Sequence, residues 1–267
     1  MEAASPLYRN DLEIRFFGLR RSGNHGVIAW LAQQYAEPIT FLNDVDPFQD
    51  PFKTFALGKI PNAIPERRLS PDATEALRAA YKPLLLVSYE DMKLRELDGA
   101  EILPKRSEWL GESRAVRRVL LLRDFYNWFA SRVRLAEKRS GGDIDLVKRS
   151  QRFVDSWLAY AREFTGETAY LGTDSLERVS YNAWFVNDAY ASDLLKRLGT
   201  PAAKIARTIV PETGGGSSFE IDAAGVLERW RYLETTNYRD IRDVLKKRTS
   251  EIDDYNGPIF GLRNPFG

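Results

Sequence analysis

The sequence of 267 residues contains no cysteine and only one histidine, His25. The absence of cysteine excludes disulfides, thiolate metal sites and cysteine nucleophiles. A single histidine also excludes a multi-histidine metal site, and we expect that no metal is required. The lack of cysteine is compatible with a reducing compartment, and we therefore expect a cytoplasmic protein.

Neither a large net charge nor a long apolar run is present. The 39 basic residues nearly cancel the 38 acidic ones, so any anion site must be local, and we expect no nucleic-acid partner. Residues 1–10 lack an apolar core, and no apolar run approaches the length of a membrane span. We therefore expect neither a secretory signal peptide nor stable membrane insertion.

Short apolar runs rich in branched residues alternate with amphipathic stretches, which is typical of βα units around a parallel sheet. This pattern predicts an α/β fold of three layers, with a mainly parallel central sheet flanked by helices. The predicted strands are residues 13–18, 39–42, 84–88 and 118–122, with a fifth near 169–171 or 179–182. The predicted helices are residues 24–35, 71–81, 125–139, 144–164, 188–198 and 223–247. We expect one domain over residues 1–267, with a loop excursion at about 44–70 and a helical C-terminal region.

The most informative motif is the glycine turn (residues 18–25, GLRRSGNH), which joins the first predicted strand to the first predicted helix. Gly23 lets the backbone approach an anion closely, beside the amides that open the helix. The G-x-x-x-x-G-K-[ST] loop of nucleotide triphosphatases is absent, since no Lys-Ser or Lys-Thr follows Gly23. The turn predicts a phosphate cradle, and a plain basic connection between strand and helix is the alternative. The polar side chains of the turn are Arg20, Arg21, Ser22, Asn24 and His25.

A second motif combines Arg123, after the strand predicted at residues 118–122, with Ser131 eight positions later. An arginine at the carboxyl end of a strand lies where open α/β sheets bind ligands. A serine two helical turns into the following helix can face the same crevice. The alternative is an ion pair between Arg123 and Asp124, with Ser131 as a surface residue.

Together the two motifs resemble the anion sites of sulfotransferases that use PAPS (3′-phosphoadenosine 5′-phosphosulfate). The form G-L-R-R-S-G-N-H is similar to a bacterial branch of that family, and the resemblance extends over about residues 13–230. It implies a P-loop-like fold, PAPS as co-substrate and PAP (3′-phosphoadenosine 5′-phosphate) as product. The acceptor would offer a hydroxyl or an amine on a small molecule or glycan, such as a carbohydrate or glycolipid. The glycine turn would hold the phosphosulfate, and Arg123 with Ser131 would hold the 3′-phosphate.

The resemblance also implies two later contributions to nucleotide binding. Tyr181 would lie near the adenine, although a core tyrosine is the commoner explanation. In the loop at 214–219, Gly215, Gly216 and Ser217 would surround the 3′-phosphate, and a flexible surface loop is the alternative. The Arg-Lys-Gly that the family pattern places beside this loop is missing. The positive charge facing the 3′-phosphate would therefore come from Arg207, from Arg229 or from neither.

Two positions depart from the family pattern. Arg21 stands where many members have lysine, and its planar fork is not equivalent to an ammonium group. Gly26 stands where other members place a tryptophan that stacks on adenine, so adenine recognition must come from elsewhere.

Sulfuryl transfer requires in-line attack, charge stabilisation and a group that takes the acceptor's proton. Family members use a histidine or a glutamate after the third strand, and Glu90 stands at about that place here. Glu90 is therefore the predicted general base, with Asp91 as its neighbouring alternative. His25 is the rival, but an adjacent phosphate favours its protonated form, so we expect it to donate to the ligand or cap the helix. Arg21 would stabilise charge on the transferring group.

Two other functions remain open from the sequence. A small-molecule kinase of the P-loop class would want a loop lysine and a magnesium-binding pair. A non-catalytic protein that binds PAP or another nucleotide could share the same fold. The acceptor pocket is predicted from residues 44–68 and 136–145, where Phe48, Phe52 and Phe55 either line it or pack the loop down. The sequence does not indicate an oligomeric state.

Overall fold

The computed structural model describes residues 8–58, 60–97, 102–140, 145–203 and 224–266. Six strands form one sheet in the order β3-β2-β4-β1-β5-β6, and every neighbouring pair is parallel. The strands are β1 (Asn10–Gly18), β2 (Ile39–Leu42), β3 (Ala63–Ile64), β4 (Lys82–Glu90), β5 (Ser113–Leu122) and β6 (Leu176–Ser180). The α-helices of the described residues are α1 (Asn24–Ala32), α2 (Pro51–Thr54), α3 (Pro71–Ala79), α4 (Ile102–Leu110), α5 (Phe125–Ser140), α6 (Leu146–Thr165), α7 (Tyr181–Val186), α8 (Asp188–Leu198), α9 (Arg239–Lys247) and α10 (Thr249–Phe260). The predicted α/β fold with a parallel central sheet is confirmed.

Helices cover both faces of the sheet, because successive strand residues point to opposite sides. Phe17 and Leu120 pack in the core that includes α5 and α6. Phe16 and Leu121, their neighbours along the strands, pack in a second core with α1 and α8. Burial on both faces explains why β1 and β5 end in nearly continuous apolar runs.

The main strands and helices of the first 200 residues were predicted well. The uncertain fifth strand is β6, close to the second of the two predicted positions. The loop excursion at about 44–70 contains the short elements α2 and β3. Within it Phe52 and Phe55 are buried, whereas the side chain of Phe48 is 54% exposed. Two of the three phenylalanines therefore pack the loop onto the core.

The long helix predicted at residues 223–247 is wrong. In the described part of that segment, short 3-10 turns at Ala224–Leu227, Arg229–Glu234 and Thr236–Tyr238 precede α9. Asn127 of α5 donates to the carbonyl of Leu227 (2.9 Å) and accepts from the amide of Trp230 (3.3 Å). It thereby takes backbone groups that a continuous helix would pair internally.

Among the described residues, the structure has no helix that is both long and apolar enough to cross a bilayer.

Candidate functional site

The candidate site lies at the carboxyl edge of the sheet, where ligands of open α/β sheets bind. Gly18, at the end of β1, pairs with Glu90 of β4 and with Leu121 of β5. This register brings together residues that follow five different strands. They are Arg20 and Arg21 after β1, Asn43 and Asp44 after β2, Glu90 and Asp91 at the end of β4, Arg123 after β5 and Tyr181 after β6.

Two glycines of the glycine turn are required by close packing. Gly23 has φ 98°, and a Cβ there would lie 2.1 Å from Cε2 of Tyr181. A Cβ on Gly18 would lie 2.2 Å from Oδ1 of Asn24. The Nδ2 group of Asn24 donates to Glu90 Oε1 (2.7 Å) and to the carbonyl of Leu19 (3.2 Å). The turn is thus fixed against both β4 and Tyr181.

The start of α1 presents uncompensated hydrogen-bond donors. In the part of the chain that the structure describes, no side chain caps this helix at Gly23. The first amides of a helix have no partner within it. Ser22 is fully buried, and its Oγ has no hydrogen-bond partner among the described residues. An orphaned buried hydroxyl beside a helix start fits an anion site.

Three arginines, Arg21, Arg123 and Arg229, form what we call the arginine cluster beside the glycine turn. The side chain of Arg123 is 1% exposed and lies over the ring of Tyr181, 5.0 Å from its centroid. Its Nη2 donates to the carbonyl of Val226, and its Nε has no hydrogen-bond partner among the described residues. A buried guanidinium N–H without a partner is suited to bind an anion.

Ser131, predicted to hold the 3′-phosphate together with Arg123, is hydrogen-bonded to Arg21 in the structure. Arg21 Nε donates to Ser131 Oγ (3.0 Å), so Ser131 supports Arg21 directly. Ser131 is fully buried, which rules out the surface position considered as the alternative. The possible ion pair of Arg123 is loose, since its Nε lies 4.0 Å from Asp124 Oδ2.

Mutual repulsion acts within the arginine cluster. Burial, together with the charges of Arg123 and Arg132, lowers the pKa of Arg21 to about 10. Burial and the charges of Arg123 and Arg21 lower the pKa of Arg229 to about 9. A bound anion would relieve this repulsion. Of the two arginines considered as a source of charge, Arg229 lies within electrostatic range of Arg123 and Arg21, and Arg207 lies outside the described residues.

The charge of Arg20 is balanced by neighbouring carboxylates. It forms an ion pair with Asp44 and donates from Nε to Glu90 (3.2 Å), and its amide donates to Asp91 (2.9 Å). Partial burial alone would lower the pKa of Arg20. The carboxylates of Asp44, Glu90 and Asp91 raise it by more, so the net shift is upward. Arg20 thus ties the glycine turn to the acids after β2 and β4.

Both candidate bases lie at the site and both are hydrogen-bonded. Glu90 accepts from Asn24 at one carboxylate oxygen and from Arg20 at the other. Nε2 of His25 lies 3.0 Å from Oδ1 of Asn43, an atom that also accepts from Ser88. Because an amide oxygen only accepts, Nε2 of His25 carries the proton, and in a neutral ring Nδ1 is left as an acceptor.

Three non-glycine residues at this edge have left-handed backbones. Arg21 has φ 75°, Asp44 has φ 47° and Asp91 has φ 56°. Such conformations cost of order 1 kcal/mol each and concentrate at functional sites. All three lie within a few residues of a strand's carboxyl end, so the strain coincides with the proposed site.

Trp184 is a buried residue beside the start of α1, and the sequence analysis did not identify it. A Cβ on Gly26 would lie 3.8 Å from the six-membered ring of Trp184, and that indole also packs on Tyr181 with ring centroids 5.6 Å apart. An indole therefore lies beside Gly26, although the local sequence lacks the tryptophan that the family pattern places there. Its spacing of three residues from Tyr181, which puts both on one helix face, was the available signal.

Some predicted elements cannot be located. The loop at 214–219, with Gly215, Gly216 and Ser217, lies outside the described residues. Within the described residues, no group of three or more His, Asp or Glu side chains is arranged to hold a metal ion.

Comparison with known proteins gives a fold-level result. No family model matches the sequence, and no curated protein is significantly similar to it. The structure is similar to mouse sulfotransferase SULT7A1 complexed with PAP (10% identity, TM-score 0.50, covering 93% of this chain and 89% of that one). It also matches the sulfotransferase domain from the curacin biosynthetic pathway (14% identity, TM-score 0.49, 88% and 96%). A sulfotransferase from Alicyclobacillus acidocaldarius matches at 12% identity with a TM-score of 0.45, over 96% and 97%.

The class that the fold defines is therefore sulfotransferase-like α/β. The resemblance predicted from the two anion motifs is confirmed at the level of fold.

Proposed function

We propose that the protein is a PAPS-dependent sulfotransferase that acts on a hydroxyl or amine of a small molecule or glycan. The supporting observation is the arginine cluster at the start of α1, with unsatisfied donors on Ser22 and Arg123. In the reaction, a bond forms from sulfur to the acceptor atom while the bond from sulfur to the 5′-phosphate oxygen breaks. PAP leaves with that electron pair, and the acceptor's proton passes to a base.

The described residues fit a ligand with two anionic ends. The first amides of α1, with Ser22, Asn24 and His25, would hold the phosphosulfate end. Arg123 and Arg229 would hold the 3′-phosphate, and Arg21 would act between the two ends because it is bonded to Ser131. The rings of Tyr181 and Trp184 would contact the adenine, with Gly215, Gly216 and Ser217 as further predicted contacts. A cytoplasmic location and the absence of a required metal are part of this proposal.

Glu90 is the proposed base. It belongs to the strand end that adjoins the glycine turn, and a carboxylate there can take a proton from an acceptor bound next to the phosphosulfate. To do so it must exchange its bond to Arg20 or Asn24 for one to the acceptor. His25, oriented by Asn43, would instead bind the transferring group.

The same two bonds to Glu90 favour a second candidate function, a non-catalytic PAP-binding protein. If Glu90 serves only to hold Arg20 and Asn24, the site would bind the nucleotide without transfer. Binding and turnover must therefore be measured separately.

The first test is the melting temperature with and without PAP. A saturating ligand stabilises the native state, and we expect a rise of roughly 5 °C or more. Arg229→Ala and Arg123→Lys should each weaken PAP binding by roughly tenfold or more, since each removes or distorts charge-assisted hydrogen bonds. Arg162→Ala, which removes surface contacts with Glu251 and Tyr255, is the control and should bind PAP normally. Folded wild-type protein that PAP does not stabilise would refute the proposal.

The second test measures transfer of labelled sulfate from PAPS to a panel of hydroxyl and amine acceptors. Glu90→Gln should retain the PAP-induced stabilisation while its turnover falls by roughly 100-fold or more. Unchanged turnover in Glu90→Gln would place the base elsewhere. Tight PAP binding by the wild type without transfer to any acceptor would favour the second candidate.

A further inference from the structure

A cavity of about 310 Å³ opens beside the glycine turn, between α5 and α6. We call it the basic pocket. Its charged lining consists of Arg20, Arg132, Arg139, Arg149, Arg152 and a single acid, Asp91. Leu135, Ala136 and Phe153 supply an apolar surface within it. The volume is at the lower end of the range for ligand sites, roughly 300–1,000 Å³, and suits one sugar or aromatic ring.

The charges of the basic pocket are only partly balanced. Arg20 is paired with Asp44 and Glu90, and Arg132 donates to Asp91 (2.7 Å). By contrast, Arg139, Arg149 and Arg152 are exposed, and no carboxylate of the described residues forms an ion pair with them. Three cations therefore face a concave site whose only acid is already engaged.

The basic pocket adjoins the glycine turn but is distinct from the arginine cluster. Arg20 belongs to both the turn and the pocket wall, and Arg132 follows Ser131, the partner of Arg21. The charges of Arg132 and Arg139 are among those that lower the pKa of Arg21, which places both within electrostatic range of the turn. Neither Arg123 nor Arg229 lines the pocket. A molecule in the pocket would thus lie next to the proposed sulfuryl group without occupying the nucleotide site.

We propose that the basic pocket binds the acceptor, and that the acceptor carries an acid group, a carboxylate or a phosphate, in addition to its hydroxyl or amine. This inference rests on the proposed function. Arg139, Arg149 and Arg152 bind the acid, while the ring rests against Leu135 and Phe153. The hydroxyl or amine then points toward Arg20 and the glycine turn. A concave site for one ring, in a chain of net charge +1, fits a small acid better than a long polyanion.

The test compares the binding of matched probes to protein saturated with PAP, so that the nucleotide site is filled. The carboxylate pair is 4-hydroxyphenylacetate and 4-hydroxyphenylacetamide, and the phosphate pair is glucose 6-phosphate and glucose. Dissociation constants are measured by calorimetry for the wild type, for Arg149→Gln/Arg152→Gln and for Lys148→Gln. Lys148 is an exposed cation on the same helix that does not line the basic pocket, so it is the matched control.

We expect an acidic probe to bind roughly tenfold or more tightly than its neutral partner, because charge-assisted hydrogen bonds form only with the acid. The double variant should lose that preference, whereas Lys148→Gln should keep it. The two arms show whether the acid is a carboxylate or a phosphate. The proposal is overturned by equal binding of acidic and neutral probes, by a preference that survives in the double variant, or by no acidic probe binding at millimolar concentration.

PAP binding of the double variant separates this inference from the proposed function. Arg149 and Arg152 lie outside the arginine cluster, so the PAP-induced rise in melting temperature should match that of the wild type. If PAP does not stabilise even the wild type, the proposed function fails, and the probes measured without PAP still report whether the pocket prefers acids. Gln retains the helical propensity of Arg at these exposed positions, and each single variant provides a check if the double variant folds poorly.

Discussion

Gly23 and Gly26 lie three residues apart, yet their surroundings set opposite requirements. Gly23 has φ 98° and no room for a Cβ, whereas a Cβ on Gly26 would meet Trp184 at an ordinary 3.8 Å. We expect Gly23→Ala to destabilise the protein by roughly 2–4 kcal/mol, from left-handed strain and overpacking against Tyr181. Gly26→Ala should be neutral or stabilising by up to about 1 kcal/mol, since alanine favours the helix. Urea unfolding of both variants measures the difference.

The two alanine variants also distinguish the roles of the glycines in binding. Gly23→Ala should lose the PAP-induced stabilisation, and Gly26→Ala should retain it. Equal stability and equal PAP binding in the two variants would show that Tyr181 does not constrain the glycine turn.

At the residue scale, the sequence predicted what is local. The glycine turn and the Arg123–Ser131 spacing are each written within a few residues of a strand end. The contacts of Trp184 with Gly26 and of Asn43 with His25 could not be predicted, because each joins α1 to a residue outside that helix. Only the folded register brings such pairs together.

At the scale of elements, α5 is the helix that organises the site. Trp128 donates to the carbonyl of Arg20 (2.9 Å), Ser131 accepts from Arg21, and Arg132 donates to Asp91. Earlier on the same helix, Asn127 bonds to the segment at 227–230 that carries Arg229. One helix therefore positions the glycine turn, one wall of the basic pocket and the last member of the arginine cluster.

Asn127 provides a test of this organisation. Asn127→Ala removes two part-buried hydrogen bonds to the segment that carries Arg229, and should reduce stability by roughly 1–3 kcal/mol. It should also weaken PAP binding, because Arg229 is no longer held in place. In the Arg229→Ala background, Asn127→Ala should have little further effect on PAP affinity, since residues of one network are not additive. PAP titrations of both single variants and the double variant measure this coupling, and fully additive losses would contradict it.

The helix prediction at 223–247 failed because of the same hydrogen bonds from Asn127. The local sequence is compatible with a helix, but Asn127 offers bonds to Leu227 and Trp230 that only tertiary structure supplies. The strands were predicted more reliably because burial on both faces requires continuous apolar runs, and such runs are visible locally.

At the scale of the whole molecule, stability should depend on pH through Lys82. Its side chain lies at the start of β4, where Nζ donates to the carbonyls of Arg78 (3.1 Å) and Ala80 (2.6 Å). Burial and the charge of Arg9 lower the pKa of Lys82 to about 8. The unfolded chain has an ordinary lysine pKa of about 10.4, so between these values it binds more protons than the native state. The free energy of unfolding therefore gains a contribution from Lys82 as the pH rises through this window.

Lys82→Met removes that contribution. We expect the stability of the wild type relative to Lys82→Met to increase by on the order of 1 kcal/mol between about pH 8 and pH 10. Urea unfolding at several pH values measures both proteins, and the tyrosines, which titrate in both, cancel in the difference. Parallel pH curves for the two proteins would show that Lys82 is not desolvated. The sequence could not indicate this effect, because a lysine that opens a strand is ordinarily exposed.

The balanced composition conceals an uneven distribution of charge. With 39 basic and 38 acidic residues, the sequence predicted only that an anion site would be local. The structure concentrates arginines at the arginine cluster and the basic pocket. A single domain over residues 1–267 remains a prediction from sequence.

The packing of Tyr181 against Gly23 has a consequence for how this sequence can diverge. The ring occupies the space that any side chain at position 23 would need, so the two positions cannot vary independently. Descendants that keep the aromatic ring at 181 must keep glycine at 23. Those that acquire a larger residue at 23 must first lose the ring, and with it the surface on which Arg123 lies. Substitutions at these two positions, 158 residues apart in the chain, should therefore appear in a fixed order along any lineage.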